Sequence, residues 1–465
     1  MEILPQSLSY SASKQALRMN RFQCRPAGAD TADPGSTVRI NLPSKSLVNL
    51  SSFNLCFNLT KEGMTADAGN AFSNGKLPHG HKLFSAVRVY VGGQLVSGGL
   101  SNHYDILYNA LVKASCGEDW VNSRLNEHTK ELIENGDDVN KFSQNVADAG
   151  GAGVGATKKA RYVIGDFLGA FRGNGGKSIV DTSLFGDIAI EFTFNSVACI
   201  AKRTGTGGPA APAITYKVAD IEGYVECITQ TTPLYIKLIT MLLDDKQAQI
   251  HFPYQNFITG TTSTGTSARL QINSGCIDAM VLCPLGTTAN SLTAPVTSGD
   301  LSAPRYKYTA LNAAGNTALT INNANSTSTA TNIQIQIGSD TFPKVPITNA
   351  LDVSDITQNS LFSNSLYSQN LLFNGITQSA DTYTATTVST YSRQKFLSEN
   401  FVYVQSFADG EGWASKILTG IDSASQNLDI IVNFPVITGG SLFIGGLCTS
   451  LLVFDCRTGQ VSVIQ

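Results

Sequence analysis

Charged residues are scarce in this sequence, as are histidine and tryptophan. Only 14% of the 465 residues are charged, and the chain has five histidines and two tryptophans. An average soluble protein is about 25% charged. The net charge of -3 also provides no general attraction to nucleic acid or to an acidic membrane surface. These shortages disfavour a protein that binds DNA along its whole length.

Long apolar segments are absent as well. The most apolar stretch, LYIKLITMLL at residues 234–243, is shorter than the roughly 18 residues that mark a membrane-spanning helix. The first residues, MEILPQSLSYSASKQ, lack the basic region and apolar segment of a secretory signal. We therefore expect a protein that is synthesised inside the cell and is neither secreted through a signal peptide nor membrane-spanning.

The nine cysteines form no CxxC pair and are spread from Cys24 to Cys456. Several of them lie inside strand-like patterns, where a free thiol packs as a small apolar residue. The odd number and the scattered positions predict reduced, structural thiols made in a reducing compartment.

Strict alternation of apolar and polar residues is the strongest pattern that the chain does have. Such an alternation places every second side chain on one face of a β-strand. Together with 42 glycines and many Ser, Thr and Asn residues, it predicts an all-β protein. The alternating apolar positions are Val38, Ile40 and Leu42; Phe53, Leu55, Phe57 and Leu59; Ile188, Ile190, Phe192 and Phe194; Ile333, Ile335 and Ile337; and Leu428, Ile430, Val432 and Phe434.

One stretch changes its period from that of a strand to that of a helix. Alternating valines precede Gly92-Gly93, a pair that tolerates the positive φ angles of a tight hairpin turn. Asn102 then stands where a helix cap is expected, with Asp105 in the first turn. The apolar residues that follow have helical spacing, and they predict one short amphipathic helix: Tyr104, Leu107, Tyr108 and Leu111.

The order of patterns repeats in the two halves of the chain. Each half has early strands, long loops, a strongly alternating late strand and a terminal pair, which favours two consecutive jelly-roll β-sandwiches. We expect an extended arm at residues 1–36, a first jelly roll at 37–230 and a second at 231–465. A hinge helix is expected near 232–247, long loops at 115–180 and a surface insertion near 286–331.

Motifs that carry chemistry are weak throughout. GNGGKS at 173–178 has Phe171 where a phosphate-binding loop needs glycine, and GAGVGA at 151–156 does not follow an apolar strand. His79, His81 and His103 could supply metal ligands, although a polar turn explains the first two better. Carboxylate pairs, Asp244-Asp245 and Asp409 with Glu411, are more typical of solvated turns. No catalytic, metal or cofactor-binding residue is predicted.

A small basic group lies near the N-terminus. Its members are Lys14, Arg18, Arg21 and Arg25. They are three or four residues apart, so a helix over 11–25 would align them on one face that could touch phosphates of lipid or nucleic acid. An ordinary solvated face is the simpler reading, because four charges are few for either partner.

Taken in order, these elements resemble the double jelly-roll major capsid proteins of DNA viruses, of the virophage and Polinton-like type. The resemblance spans nearly the whole chain and rests on diffuse patterns rather than one invariant motif. The stretches that carry it are TVRINLP, SSFNLCFNL, AVRVYVGGQLV, HYDILYNAL with its Tyr-Asn pair, DIAIEFTF, YKVADIEGYVEC, IQIQIGSDTFPKVPI and FADGEGWASKILTGIDSASQNLDIIVNF. A long Ser/Thr/Asn-rich insertion and the lack of a strongly basic N-terminus depart from that pattern.

The resemblance implies a non-enzymatic structural protein of the virion. Three chains would form a pseudo-hexameric capsomer, and capsomers would tile an icosahedral shell. Implied partners are neighbouring capsomers, penton and minor capsid proteins, and an internal lipid membrane that the basic group would face.

Two other classes of function stay open from the sequence. One is a carbohydrate-binding or fibre-like β-sandwich protein, and the other is an enzyme on a β-scaffold. A carbohydrate binder would gather its aromatic residues in converging loops, whereas Trp120 and Trp413 lie in different halves of the chain.

Overall fold

A computed structural model provides the structure of the protein. It describes residues 18–62, 75–76, 80–99, 103–115, 158–172, 178–203, 215–229, 240–241, 243–244, 249–262, 266–286, 295–296, 304–306, 308, 333–347, 353, 356–357, 360, 401–407, 420–423, 429–434 and 440–464.

Most of the described residues lie in antiparallel β-strands. The first half contains β1 (Arg18–Cys24), β2 (Thr37–Asn41), β3 (Leu47–Glu62), β4 (Gly75–Lys76), β5 (Phe84–Val91), β6 (Gln94–Ser97), β7 (Lys158–Ile164), β8 (Ile179–Asp181), β9 (Ile188–Phe194), β10 (Ala201–Arg203) and β11 (Thr215–Thr229). The second half contains β12 (Gln249–Thr262), β13 (Ser267–Leu270), β14 (Ile277–Leu285), β15 (Pro295–Val296), β16 (Ile333–Ile337), β17 (Asp340–Ile347), β18 (Tyr403–Ser406), β19 (Ile430–Asn433), β20 (Ser441–Asp455) and β21 (Gln460–Ile464).

Within the described residues, helical structure is limited to short elements. The α-helices are α1 (Tyr104–Ser115) and α2 (Thr182–Phe185), and 3-10 turns occur at Gly80–Leu83, Val197–Cys199 and Pro304–Tyr306. Residues 240, 241, 243 and 244, in the expected hinge helix, are also helical.

Both halves are built as the same jelly roll. The first has sheets β1-β11-β3-β7 and β2-β9-β5-β6, and the second has β12-β20-β14-β18 and β13-β19-β16-β17. Each half thus has eight principal strands in its two sheets. Numbered from one to eight along the chain, these strands of both halves have the order 1-8-3-6 in one sheet and 2-7-4-5 in the other. This strand order defines a jelly roll, and the predicted all-β fold of two jelly-roll sandwiches is confirmed.

Aromatic side chains fill the interior of the first sandwich. Alternate residues of β3 point at the opposite sheet, where Phe53 stacks on Phe192 with ring centroids 5.9 Å apart. Phe57 meets Phe194 edge-on at 5.6 Å. Burying such rings is the main source of stability, about 25 cal/mol per Å² of apolar surface removed from water. The alternate apolar residues that the sequence pattern identifies on β3 and β9 are therefore the ones that line this core.

The sheet β12-β20-β14-β18 is buried on both of its faces. Met280 and Leu282 belong to the core of the second sandwich, whereas Val281 and Cys283 pack against the first sandwich. Two adjacent glycines of β20 provide the room. A Cβ on Gly445 would crowd Leu107 of α1, and a Cβ on Gly446 would crowd Ile272 on the other side. The two sandwiches are therefore joined through a packed interface.

The helix and the hairpin lie where the sequence predicts them. Gly92 and Gly93 have φ angles of 57° and 84° between β5 and β6. All four apolar residues that set the helical spacing of α1 are buried: Tyr104, Leu107, Tyr108 and Leu111.

Other sequence predictions need correction. Residues 18–24, expected in an extended arm, form β1 and pair with β11 from Thr229 to Gly223. Residues 158–164 and 179–180, expected in loops, belong to β7 and β8, which pair with β3. These strands form because their backbones pair with the long strands β11 and β3. They therefore do not need a marked alternation of apolar and polar residues. The strands of the two sandwiches lie on either side of the expected domain boundary at 230/231, which stays a prediction.

The turn after β6 depends on one glycine, so we expect Gly98→Ala to destabilise the protein strongly. Gly98 has a φ of 85°, and an added methyl would overlap the carbonyl oxygen of Val87. Backbone strain alone costs roughly 1–2 kcal/mol, and the overlap adds to it. The control is Gly93→Ala, which has a similar φ of 84° but open space around it. Urea denaturation should show the larger loss for Gly98→Ala; equal losses would contradict this account.

Candidate functional site

The N-terminal basic residues do not share a helical face. Lys14 lies outside the described residues, and Arg18 and Arg21 belong to β1. In a strand, residues three apart point to opposite faces. The guanidinium of Arg21 lies 4.8 Å from the centre of the Tyr224 ring, and Arg25 is exposed. The expected basic helix is thus replaced, over the described part, by an edge strand.

Two of the candidate histidines, His81 and His103, take part in packing around α1. His81 is buried, its ring stacks on Tyr108 at 3.7 Å, and its Nδ1 lies 3.2 Å from the Tyr104 hydroxyl. His103 precedes α1, and burial together with the nearby Arg305 lowers its pKa. Within the described ranges no group of three potential ligands gathers around a metal position. His79 lies outside those ranges.

Several other sequence candidates lie outside the described residues. They are Trp120, residues 151–156, residues 173–177, Asp245, Asp409, Glu411 and Trp413. Ser178, the last residue of GNGGKS, is buried and donates a hydrogen bond to the Ala170 carbonyl at 2.7 Å, so its hydroxyl takes part in packing. Asp244 is exposed. None of the helices within the described part is long and apolar enough to span a bilayer.

A buried ion pair between the two halves is the most concentrated polar feature. Asp105, in the first turn of α1, is fully buried, and Arg305 from the second half has only 9% of its side chain exposed. The contact is bidentate. Nε of Arg305 lies 2.5 Å from Oδ2 of Asp105, and Nη2 lies 3.2 Å from Oδ1. A planar guanidinium suits this geometry.

Neutral partners complete the shell around the Asp105 carboxylate. Asn195 Nδ2 donates to Oδ2 at 2.8 Å, and the Tyr306 hydroxyl lies 3.1 Å from the same oxygen. Asn195 also donates to the carbonyl of Lys82 at 3.1 Å, and Tyr216 donates to the carbonyl of Asn195. A buried charge is tolerable only when its hydrogen-bonding capacity is used in this way.

Residues 304–306 and 308 connect this network to the second sandwich. Tyr308 forms a bridge with Leu285 at the end of β14, and its carbonyl accepts a hydrogen bond from Phe401 N at 2.9 Å. On the other side, Asn109 of α1 donates to the Tyr308 hydroxyl at 2.8 Å. The segment is therefore held by both halves and fixes α1 against β14.

The charge state of the network favours a structural role. Burial opposes the charge of Arg305, but the adjacent Asp105 carboxylate outweighs it and raises the arginine pKa. Burial likewise raises the pKa of Tyr306 and Tyr308. Arg305 thus stays charged and the two tyrosines stay neutral, and the Asp105 oxygens accept hydrogen bonds from their neighbours. Such an arrangement suits the positioning of the two sandwiches relative to each other.

The buried cysteines within the described residues are suited to packing rather than to reaction. All eight within the described residues are free thiols, and seven of them are buried. Burial raises the pKa of Cys24 to about 11 and that of Cys276 and Cys448 to about 12. Because the thiolate is the reactive form, these residues act as small core side chains.

Arg305, Tyr306 and Tyr308 were missed by the sequence reading, which places them in the surface insertion expected at 286–331. Their signal was the stretch PRYKY at 304–308, in which aromatic and basic residues interrupt a polar segment. The pattern indicates a packed segment only in hindsight, because its partners are about 200 residues away in the sequence.

Replacing one member of the ion pair should lower the free energy of unfolding more than replacing both members. We expect Arg305→Met to lower the free energy of unfolding by about 3–5 kcal/mol, since Asp105 is left charged and buried. Replacing both residues, as Asp105→Leu with Arg305→Met, should recover much of that loss. Urea denaturation of the two variants measures the difference. If the double variant is no more stable than Arg305→Met, the cost does not come from the stranded carboxylate.

Asp278 makes a separate contribution to the pH dependence of stability. Burial raises its pKa, although hydrogen bonds from Thr449 at 2.8 Å and Cys276 at 3.4 Å lower it in part. A carboxyl whose pKa is raised by folding favours the folded state below its unfolded pKa and loses that contribution as the pH rises through its folded pKa.

We therefore expect Asp278→Asn to raise the melting temperature at pH 7–8 and to raise it less at pH 4. The amide keeps an acceptor for Thr449 and carries no charge to desolvate. The control is Asp340→Asn, which removes an exposed carboxylate and should raise the melting temperature at pH 7–8 less than Asp278→Asn does. A gain of the same size at both pH values would mean that charge is not the cause.

Comparisons with known proteins bear on the fold. Neither a protein-family model nor a curated protein matches the chain. Among solved structures, similar chains include PBCV-1 VP54 fitted into a reconstruction of the virophage Sputnik, with 13% identity, a TM-score of 0.54 and 97% of each chain covered. A quasi-atomic model of the PBCV-1 virus capsid has 12% identity, a TM-score of 0.51 and the same coverage.

A third similar structure is that of the Sputnik virophage determined by cryo-EM. It has 10% identity and a TM-score of 0.52, and the alignment covers 97% of this chain and 89% of that chain. Identities this low report on fold alone. By its strand order and by these three likenesses, the chain has the double jelly-roll fold of the PBCV-1 and Sputnik virus proteins.

Proposed function

We propose that the protein is a major capsid protein, a structural and non-enzymatic subunit of an icosahedral virion. The observation that carries the proposal is the architecture. Two jelly rolls of identical strand order lie side by side in one chain, and that arrangement aligns end to end with chains from the PBCV-1 capsid and the Sputnik virophage.

The junction supports this role because a shell needs rigid subunits. The buried Asp105–Arg305 pair and the doubly covered sheet β12-β20-β14-β18 hold the two sandwiches in one relative position. Three such chains would present six sandwiches of equivalent topology around a common axis. A closed ring with this near-sixfold outline can tile a surface of hexagonal symmetry.

The same proposal covers the place of action and the partners. The protein would reside in the virion capsid and contact copies of itself, penton and minor capsid proteins, and an internal lipid membrane. The segment with Lys14, Arg18, Arg21 and Arg25 would face the interior, where phosphates of lipid or nucleic acid are available. Arg25 is exposed, which makes it accessible for such a contact.

We expect the purified protein to form a trimer of three times 49.4 kDa. Light scattering coupled to size exclusion gives the mass, and electron micrographs should show particles of hexagonal outline. Trimers in this fold would be stabilised by large contact areas, so the mass should be constant over a wide range of protein concentration.

A stable monomer that binds glycans on an array would overturn the proposal in favour of a carbohydrate-binding sandwich. The membrane or nucleic-acid contact is tested separately, with anionic vesicles and single-stranded DNA at low and high salt. Replacement of Lys14, Arg18, Arg21 and Arg25 by glutamine should abolish any salt-dependent binding, with trimer mass as the control for folding.

A further inference from the structure

Basic residues are concentrated at one end of the first sandwich. The pairing of β3 with β7 places Lys61 directly opposite Lys158, and Thr60 opposite Lys159. On the other side of β3, Lys217 of β11 pairs with Thr60. Because neighbouring strands lie about 4.8 Å apart, the backbones that carry these lysines lie within roughly 10 Å of one another. We call this group the lysine cluster, and its members are Lys61, Lys158, Lys159 and Lys217.

The cluster stands out in a chain with few charges, and it opposes folding. Only 14% of all residues are charged and the net charge is -3, yet two adjacent rows of this sheet contain the four lysines. The next row contains one acidic residue, Glu62, which pairs with Thr215. Like charges directly opposite each other destabilise a sheet, so the Lys61–Lys158 pair lowers stability in the isolated chain. An anionic partner would remove that repulsion.

A small third sheet adds basic residues to the segments that connect to this end. It consists of β4, which follows β3 in the chain, β10, which precedes β11, and β15 from the second half. β4 contains Lys76, and β10 contains Lys202 and Arg203. None of these three strands contains an acidic residue. The excess of basic residues therefore extends beyond the lysine cluster.

The lysine cluster lies at the end of the sandwich opposite to the N-terminal basic group. Arg18 pairs with Thr229, the last residue of β11, whereas Lys217 lies near the first residue of that strand. These two positions are about 40 Å apart, at roughly 3.3 Å per residue. Under the proposed function the segment with Arg18 faces the interior of the virion, so the lysine cluster faces outward. An outward surface meets the anions of a cell surface rather than the enclosed nucleic acid.

We infer that the lysine cluster binds an acidic polysaccharide, in which sulfate or carboxylate groups recur along the chain. The inference rests on the proposed function for the orientation of the cluster and adds a partner to it. Lysine binds such groups as a point charge, whereas single-stranded nucleic acids are bound with the help of aromatic side chains that stack on bases. The one aromatic residue in the rows of the cluster is Tyr216, which is fully buried. The surface thus offers charge without a stacking platform.

Neutralising the cluster tests the inference, with the sulfated polysaccharide heparin as the probe. We expect a variant with Lys61→Gln, Lys158→Gln, Lys159→Gln and Lys217→Gln to bind immobilised heparin at least roughly tenfold more weakly than the wild type at about 0.15 M salt, because fewer counterions are released on binding. Arginine at the same four positions should retain binding. The melting temperature of the glutamine variant should be unchanged or higher, since the repulsion between Lys61 and Lys158 is lost. Surface plasmon resonance at several salt concentrations measures the affinity.

The matched control removes four exposed basic residues that lie outside the cluster. Its substitutions are Lys45→Gln, Arg269→Gln, Lys344→Gln and Arg457→Gln. This variant has the same net charge as the glutamine variant of the cluster, and its affinity for heparin should stay within about twofold of the wild type. If the control loses as much affinity as the cluster variant, binding follows overall charge and the inference is wrong. The inference is equally wrong if the wild type does not bind heparin.

Competition with nucleic acid and a mass measurement complete the test. If a single-stranded oligodeoxynucleotide with as many charges as the heparin chain binds the wild type as tightly as heparin does, the assignment to a polysaccharide is overturned. Light scattering on the same sample gives the oligomeric state. A trimer without lysine-dependent heparin binding contradicts this inference alone, whereas a monomer that binds heparin through the cluster contradicts the proposed function and leaves the binding surface in place.

Discussion

The relative position of the two sandwiches depends on the buried pair of Asp105 and Arg305. Desolvating two charges is costly, and the attraction between them offsets that cost only when the geometry is good and the remaining hydrogen-bonding capacity is used. Here the contact between Arg305 and Asp105 is bidentate, and Asn195 and Tyr306 also bind the Asp105 carboxylate, so both conditions are met. The pair contributes specificity more than stability, because a sliding or tilted junction would leave the charges unmatched.

The apolar part of the junction works with this polar centre. Gly445 and Gly446 let α1 and Ile272 approach the same strand from opposite sides, so β20 belongs to two cores at once. A sheet covered on both faces cannot bend without disturbing either core, since close-packed interiors transmit strain. The two sandwiches are thus held as one block.

The sheets β1-β11-β3-β7 and β12-β20-β14-β18 are equivalent in strand order but differ in what covers their outer faces. In the second sandwich the outer face of that sheet is apolar and buried by α1. In the first, the corresponding face carries Glu222, Tyr224 and Arg161, which are linked to one another by hydrogen bonds. A polar face folds and stays soluble without a partner, whereas an apolar one needs its cover from the same chain. The two faces are therefore equivalent in strand order but differ in surface chemistry.

The sequence by itself determined the strands that alternate strictly, the hairpin at Gly92-Gly93, the helix with Tyr104 and Leu107, and the two-jelly-roll order. Each of these depends on local period, which a single sandwich core imposes on every second residue. Only the tertiary structure decided that residues 18–24 and 158–164 are strands and that Arg305 is buried. Backbone pairing and a single ion pair leave no periodic signal, because their partners come from distant parts of the chain.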